Sequence, residues 1–197
     1  MSYKVYFVLV SCLCFFFDKS FSQIVEPLVK AEYHQNAPYN LSCPDSSAAG
    51  CGAIAISQIL SYYKIPQHGY GNVSYISNGL NIPINVNFED ITFDWDNILL
   101  NYVEGEYNNL QANAVAQLVY ACGAAMYSDY GKSTGVNNYA KMLYGLQHYL
   151  HFSPESRYLK RSYYSTAEWI EMINNQLRDG HPVFYRGSWL FNGGNVG

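Results

Sequence analysis

The chain has 197 residues, 49% of them hydrophobic and 13% charged, with a formal net charge of −4. It is too apolar for a disordered segment and long enough for one domain with a sizeable core. A mildly acidic balance with no basic run gives no footing for a nucleic-acid partner. The first element is a leader. Met1 to Lys4 carries one positive charge, Val5 to Phe17 is almost wholly apolar, and Ser20-Phe21-Ser22 fits a small-x-small cleavage site. Residues 1–22 therefore read as a secretory signal peptide, with Gln23 the mature start and the product exported, extracellular or periplasmic. The apolar run is short for a membrane span. Leu9-Val10-Ser11-Cys12 also fits a lipoprotein cleavage box. Anchoring at Cys12 ranks lower, because Leu13 to Phe17 stays apolar where a polar tether is usual.

Ile24 to Asp45 is proline-punctuated and reads as extended. Ser47 to Lys64 has the pattern of a helix ended by Pro66. Gln67 to Phe88, rich in Gly, Asn and Pro, holds short strand-like pieces. A short helix is predicted over Phe93 to Tyr102 and a strongly apolar one over Leu110 to Met126. Tyr127 to Thr134 is a loop, and Gly135 to Leu150 a helix with Val136, Tyr139, Ala140, Leu143 and Leu146 on one stripe. Thr166 to Arg178 is amphipathic and stops at Asp179-Gly180, and Pro182 to Gly187 reads as a strand. There is no repeat and no linker, so residues 23–197 form one domain. Helices early and strands late indicate an α+β fold.

Removing the leader leaves Cys43, Cys51 and Cys122, an odd count that implies a free thiol. No C-x-x-C pair exists and no His stands at metal-ligand spacing from a Cys, so no metal or other cofactor is expected. His148 and His151 would need a carboxylate partner to bind metal and otherwise read as a polar helix face. Cys51 lies between two glycines in the first turn of the helix over Ser47 to Lys64. Ala53, Ile54, Ala55, Ile56, Ile59, Leu60 and Tyr63 make that helix apolar around most of its circumference, as in a buried central helix. Free N–H groups and the positive end of the dipole favour a thiolate there. The residues alone leave two readings open, a small core residue starting a helix and a nucleophile.

"AAGCGAIAISQILSYYKIP" resembles the active-site segment of the streptopain-like (C10 family) cysteine peptidases, which runs T-G-C-V-A-T-A-x-x-Q-I-M-x-Y-x-x-x-P. "VEPLVKAEYHQNAPYNLSCP", "ITFDWDNILLNY", "AVAQLVYACGAAMYSDYG" and "LRDGHPVFYRGS" are similar to further family segments in the same order. The resemblance implies a papain-like fold, with the helical half complete and the β-rich half truncated. It implies peptide-bond hydrolysis through an acyl-enzyme, with Cys51 as nucleophile and the Gln35 amide in the oxyanion hole beside the Cys51 N–H. Protein or peptide substrates follow, as does an inhibitory propeptide or separate inhibitor. Only Gln23 and Ile24 separate the leader from the matched region, so an inhibitor is expected after Gly197 or from another chain.

Four departures stand out. Gly52 replaces the family valine, which loosens the nucleophile's turn. Ile54 and Ile56 replace Thr and Ala or Met, and Tyr33 stands where Trp is frequent. The family histidine, the general base, is absent; the order of segments puts it just after Gly197. His34, expected to point away from the thiol, and His68, His148, His151 and His181 are poor substitutes. The chain is thus read as part of a longer peptidase, inactive by itself. The alternative is a catalytically dead binding or inhibitory protein on the same scaffold. An amidase or transglutaminase on that scaffold is chemically close, but the matched segments favour a peptidase.

Overall fold

A computed structural model describes residues 26–187, 189–191 and 194–196. The leader over 1–22, with Cys12, lies outside the described residues. Four helices carry the fold: α1 (Cys51–Tyr63), α2 (Asn109–Ala125), α3 (Tyr139–Tyr149) and α4 (Thr166–Arg178). Strands β1 (Asn72–Ser77) and β2 (Ile82–Asn87) form an antiparallel hairpin, and β3 (Trp189–Phe191) pairs with β4 (Gly194–Val196) in a second one. This is the α+β composition expected. No described helix is long and apolar enough to cross a membrane.

α2 is the centre of the core. Its alanine-rich sequence is buried on nearly every side, with Val115, Leu118, Val119 and Cys122 wholly inaccessible. It packs against α1, α3 and β2. Small residues permit the close approaches. A Cβ on Gly145 of α3 would fall 1.8 Å from the Ala125 carbonyl oxygen at the end of α2, so only glycine fits there. Val73 of β1 faces Val86 of β2, and both join Ile84 in the core.

The two helices that open with a capping box stand where the sequence puts them. Asn108 and Gln111 form a capping box at the start of α2, and Ser165 and Glu168 do the same for α4. Other boundaries differ. α1 begins at Cys51, not Ser47, because the Ala49 N–H donates to the Gln35 carbonyl (3.0 Å) and Gly50 has φ +88°. α3 begins at Tyr139, capped by Asn138, because Gly135 pairs with Asp129 instead of entering a helix. The helix predicted over Phe93 to Tyr102 does not form. One turn closes at Asp94–Asn97, and Trp95 turns inward with its indole N–H on the Pro66 carbonyl (3.0 Å). Pro182 to Gly187 lies outside any strand, since no described segment runs beside it to complete a ladder. α4 is strongly amphipathic, yet none of its residues is fully buried.

Candidate active site

Cys51 is the first residue of α1, exposed and unpaired. The first intrahelical bond of α1 runs from the Ile54 N–H to the Gly50 carbonyl (3.1 Å). The N–H groups of Cys51, Gly52 and Ala53 therefore emerge at the helix start with no acceptor within the helix. Gly50 makes this possible. At φ +88° and ψ 133° the chain turns sharply from an extended segment into the helix, a conformation that side chains oppose.

Gln35 belongs to a loop that is tied to this turn. Its carbonyl takes the Ala49 N–H, two residues before the thiol. Tyr33 anchors the loop to α1 and to the 93–102 segment. Its buried hydroxyl donates to the Leu99 carbonyl (2.8 Å) and lies 3.0 Å from Ser61 Oγ. The Tyr39 hydroxyl donates to the Glu32 carbonyl (3.1 Å), and the Gln58 amide donates to the Ala31 carbonyl. The Gln35 carboxamide has no hydrogen-bond partner among the described residues. Gln35 and Cys51 line one cleft of about 430 Å³, with Tyr33 to Asn36 on one wall and Ile54, Ala55 and Gln58 of α1 on the other. An unengaged amide and helix-start N–H groups beside an exposed thiol can stabilise negative charge on an oxygen bonded to a carbon under attack.

The segment after α2 supports the same turn. A Cβ on Gly50 would meet Thr134 Cγ2 at 2.8 Å and the Thr134 carbonyl oxygen at 3.3 Å. A Cβ on Gly52 would meet Met126 Cε at 2.9 Å and Val136 Cγ2 at 3.6 Å. Gly52 was expected to loosen the turn; the wholly buried Met126 occupies the space that a side chain there would take. Sequence reasoning did not find Met126 or Thr134. The only signal was the missing side chain at Gly52, and it did not say what replaces it.

The histidines are scattered. His181 shares a hydrogen bond with the Tyr63 hydroxyl (3.0 Å), at the opposite end of α1 from the thiol. A 13-residue helix separates those ends by roughly 18 Å. His68 bonds Thr92 (3.1 Å), while His148 and His151 sit against Tyr70. His34 does not point away as expected, because it lines the cleft of Cys51 and Gln35. Its Nδ1 accepts the Asn36 N–H (3.3 Å), which engages the lone pair of that nitrogen. The remaining thiols are closed off. Burial pushes Cys43 up to about 12 and Cys122 well above the usual thiol range. Among the described residues no cluster of His, Cys, Asp and Glu could hold a metal ion. A larger cleft of about 720 Å³, lined by Gln67, Asp94, Asn113 and Gln117, lies apart from the thiol.

The solved structure of active wild-type interpain A from Prevotella intermedia is 32% identical, with a TM-score of 0.72 over 80% of this chain and 67% of that one. A prointerpain A fragment from the same organism gives 30%, 0.73, 80% and 52%. These likenesses bear out the papain-like α+β fold. Streptopain of Streptococcus pyogenes is 29% identical over 194 residues, which is 84% of this chain and 48% of streptopain. The thiol protease/hemagglutinin PrtT of Porphyromonas gingivalis is 24% identical over 166 residues, 79% of this chain and 18% of that protein. The chain thus spans about half the length of the streptopain sequences it matches. The profile of the Peptidase C10 family matches residues 33–196, and the chain belongs to that family of cysteine peptidases.

Proposed function

We propose that residues 23–197 carry the nucleophile and oxyanion hole of an exported cysteine endopeptidase. The observation that carries this reading is the cleft that Cys51 and Gln35 share, with the helix-start N–H groups at its edge. The Cys51 thiolate attacks the scissile carbonyl carbon. The carbonyl oxygen takes the negative charge and receives hydrogen bonds from the Gln35 amide and the Cys51 N–H. The C–N bond then breaks, the amine leaves with a proton, and an acyl-enzyme stays on sulfur. Water hydrolyses the thioester to a carboxylic acid and the free thiol. An imidazole must take the thiol proton and deliver one to the amine. His68, His148, His151 and His181 lie away from the cleft and His34 has its Nδ1 engaged by the Asn36 N–H, so the reading assigns this work to a histidine beyond Gly197. An inhibitory segment or separate inhibitor would act by filling the same cleft.

The test compares the protein from the longest continuous reading frame with Gln23 to Gly197 alone, on casein, each with a Cys51→Ala control. The extended protein should cleave, and Cys51→Ala should abolish cleavage. Gln35→Ala should lower kcat by about 10²-fold or more. Thiol-dependent cleavage by Gln23 to Gly197 would overturn the assignment of the base. A folded extended protein that never cleaves would favour the binding or inhibitory alternative. N-terminal sequencing of the exported protein should begin at Gln23, and a lipid-modified Cys12 would refute the leader assignment.

A further inference from the structure

Both glycines that flank Cys51 are met from outside by one stretch of chain, the segment leaving α2. Thr134 abuts Gly50, while Met126 and Val136 abut Gly52. The segment is itself fastened. Asp129 and Gly135 exchange backbone hydrogen bonds (2.8 and 3.3 Å). The Asp129 carboxylate takes the Gly79 N–H (2.7 Å) and the Ser77 hydroxyl (3.2 Å) at the β1–β2 turn. Thr134 Oγ1 accepts the Gly131 N–H (3.3 Å) across the loop. The segment is thus tied to itself and to the β1–β2 turn, and within it the Met126 methyl stands nearest the place of the missing Gly52 side chain.

We propose that Met126 is a positioning residue for Cys51, acting through Gly52. The proposal rests on reading Cys51 as the reacting thiol. Glycine in a helix supplies no side-chain contact and leaves the backbone free to fray. Gly52 follows the thiol directly, so the order of this turn depends on what packs against its backbone. Met126 does that with a fully buried thioether, its methyl standing where a valine side chain would begin. Here the contact at Gly52 comes from across the core. Emptying the Met126 site should therefore fray the helix start and weaken the N–H groups' hold on the thiolate.

The experiment measures the rate of Cys51 alkylation by iodoacetamide at neutral pH in the full chain, read on the Cys51 peptide. Cys51 is already exposed, so a looser turn cannot raise the rate by uncovering it. Met126→Ala should lower the rate about two- to fivefold, the range that loss of a helix-end charge interaction allows. Gly52→Val with Met126→Ala, which nearly conserves volume, should return the rate to that of the parent. Leu60→Ala empties a buried site toward the far end of α1, about 13 Å along the helix from Cys51, and should lower the melting temperature without changing the rate. An unchanged rate in folded Met126→Ala, no rescue by Gly52→Val, or an equal loss in Leu60→Ala would each overturn the proposal. Failure of the peptidase reading would appear separately, as absence of casein cleavage with this cycle intact.

Discussion

Gly50→Ala tests the geometry that presents the thiol. Two costs can be separated. Alanine at φ +88° and ψ 133° occupies a region that residues with a Cβ avoid, at about 1–3 kcal/mol. The new Cβ also sits 2.8 Å from Thr134 Cγ2. Thr134 is buried and hydrogen-bonded, so it yields little, and overpacking of this kind adds about 1–2 kcal/mol. The sum, about 2–5 kcal/mol, is a large share of the 5–15 kcal/mol that typically holds a domain together. The variant should fold at room temperature with a lowered urea midpoint. If relaxation moves the Cys51 turn by ~1 Å, peptide hydrolysis by the extended protein should fall about 10²-fold. Thr134→Ser in the Gly50→Ala background removes Cγ2 and keeps the hydroxyl. It should recover about 1 kcal/mol and leave the backbone strain. A Gly50→Ala protein within about 0.5 kcal/mol of the parent, with hydrolysis unchanged, would refute both the dihedral argument and the contact argument.

Tyr33→Phe removes the hydroxyl that serves the Leu99 carbonyl and Ser61, at about 1–3 kcal/mol by urea denaturation, and a loss below about 0.5 kcal/mol would show that this anchor is dispensable. Gly145→Ala forces a Cβ to within 1.8 Å of the Ala125 carbonyl oxygen and should cost about 3 kcal/mol or more; a near-neutral result by the same assay would mean that α2 and α3 can separate freely. Burial raises the Cys43 thiol from 9.0 to about 12, so above pH 9 the unfolded chain binds fewer protons than the folded one. Stability should therefore fall as pH climbs from about 9 toward 12, and Cys43→Ala should flatten that fall over the same range. Tyr102, also raised to about 12 by burial, contributes to the same window, so the test is the difference in slope between the two proteins.

What the chain announced in advance follows the range of the interactions involved. α2 and α4 were legible to within a residue because their signals are local: an apolar run over Leu110 to Met126, and an amphipathic pattern over Thr166 to Arg178 that stops at Asp179-Gly180. The start of α1 was not. Ser47 to Gly50 continues an alanine-rich pattern that favours a helix, and only the distant Gln35 carbonyl withdraws the Ala49 N–H from it. The same holds at Gly135, which Asp129 holds out of α3, and at Trp95, whose indole is claimed by Pro66. Pro182 to Gly187 has strand composition, but a strand exists only beside a partner, and composition cannot supply one.

The site divides in the same way. Cys51 drew notice because a thiol between glycines at a helix start has a local chemical meaning. Gln35 has none by itself; family resemblance singled it out, and its tie to Cys51 passes through Ala49, which no local pattern predicts. Gly52 shows the limit most clearly. Judged alone, glycine in place of valine beside the nucleophile means a slack turn. Judged with Met126, whose methyl stands 2.9 Å from the missing Cβ, the space beside Gly52 is already filled from across the core. Close packing conserves volume at the contact, not at the position. A departure from a family pattern in a buried turn therefore has no sign until its spatial neighbour is known. Here that neighbour lies beyond a whole hairpin and helix in sequence, so the effect of Gly52 had to be read from the fold.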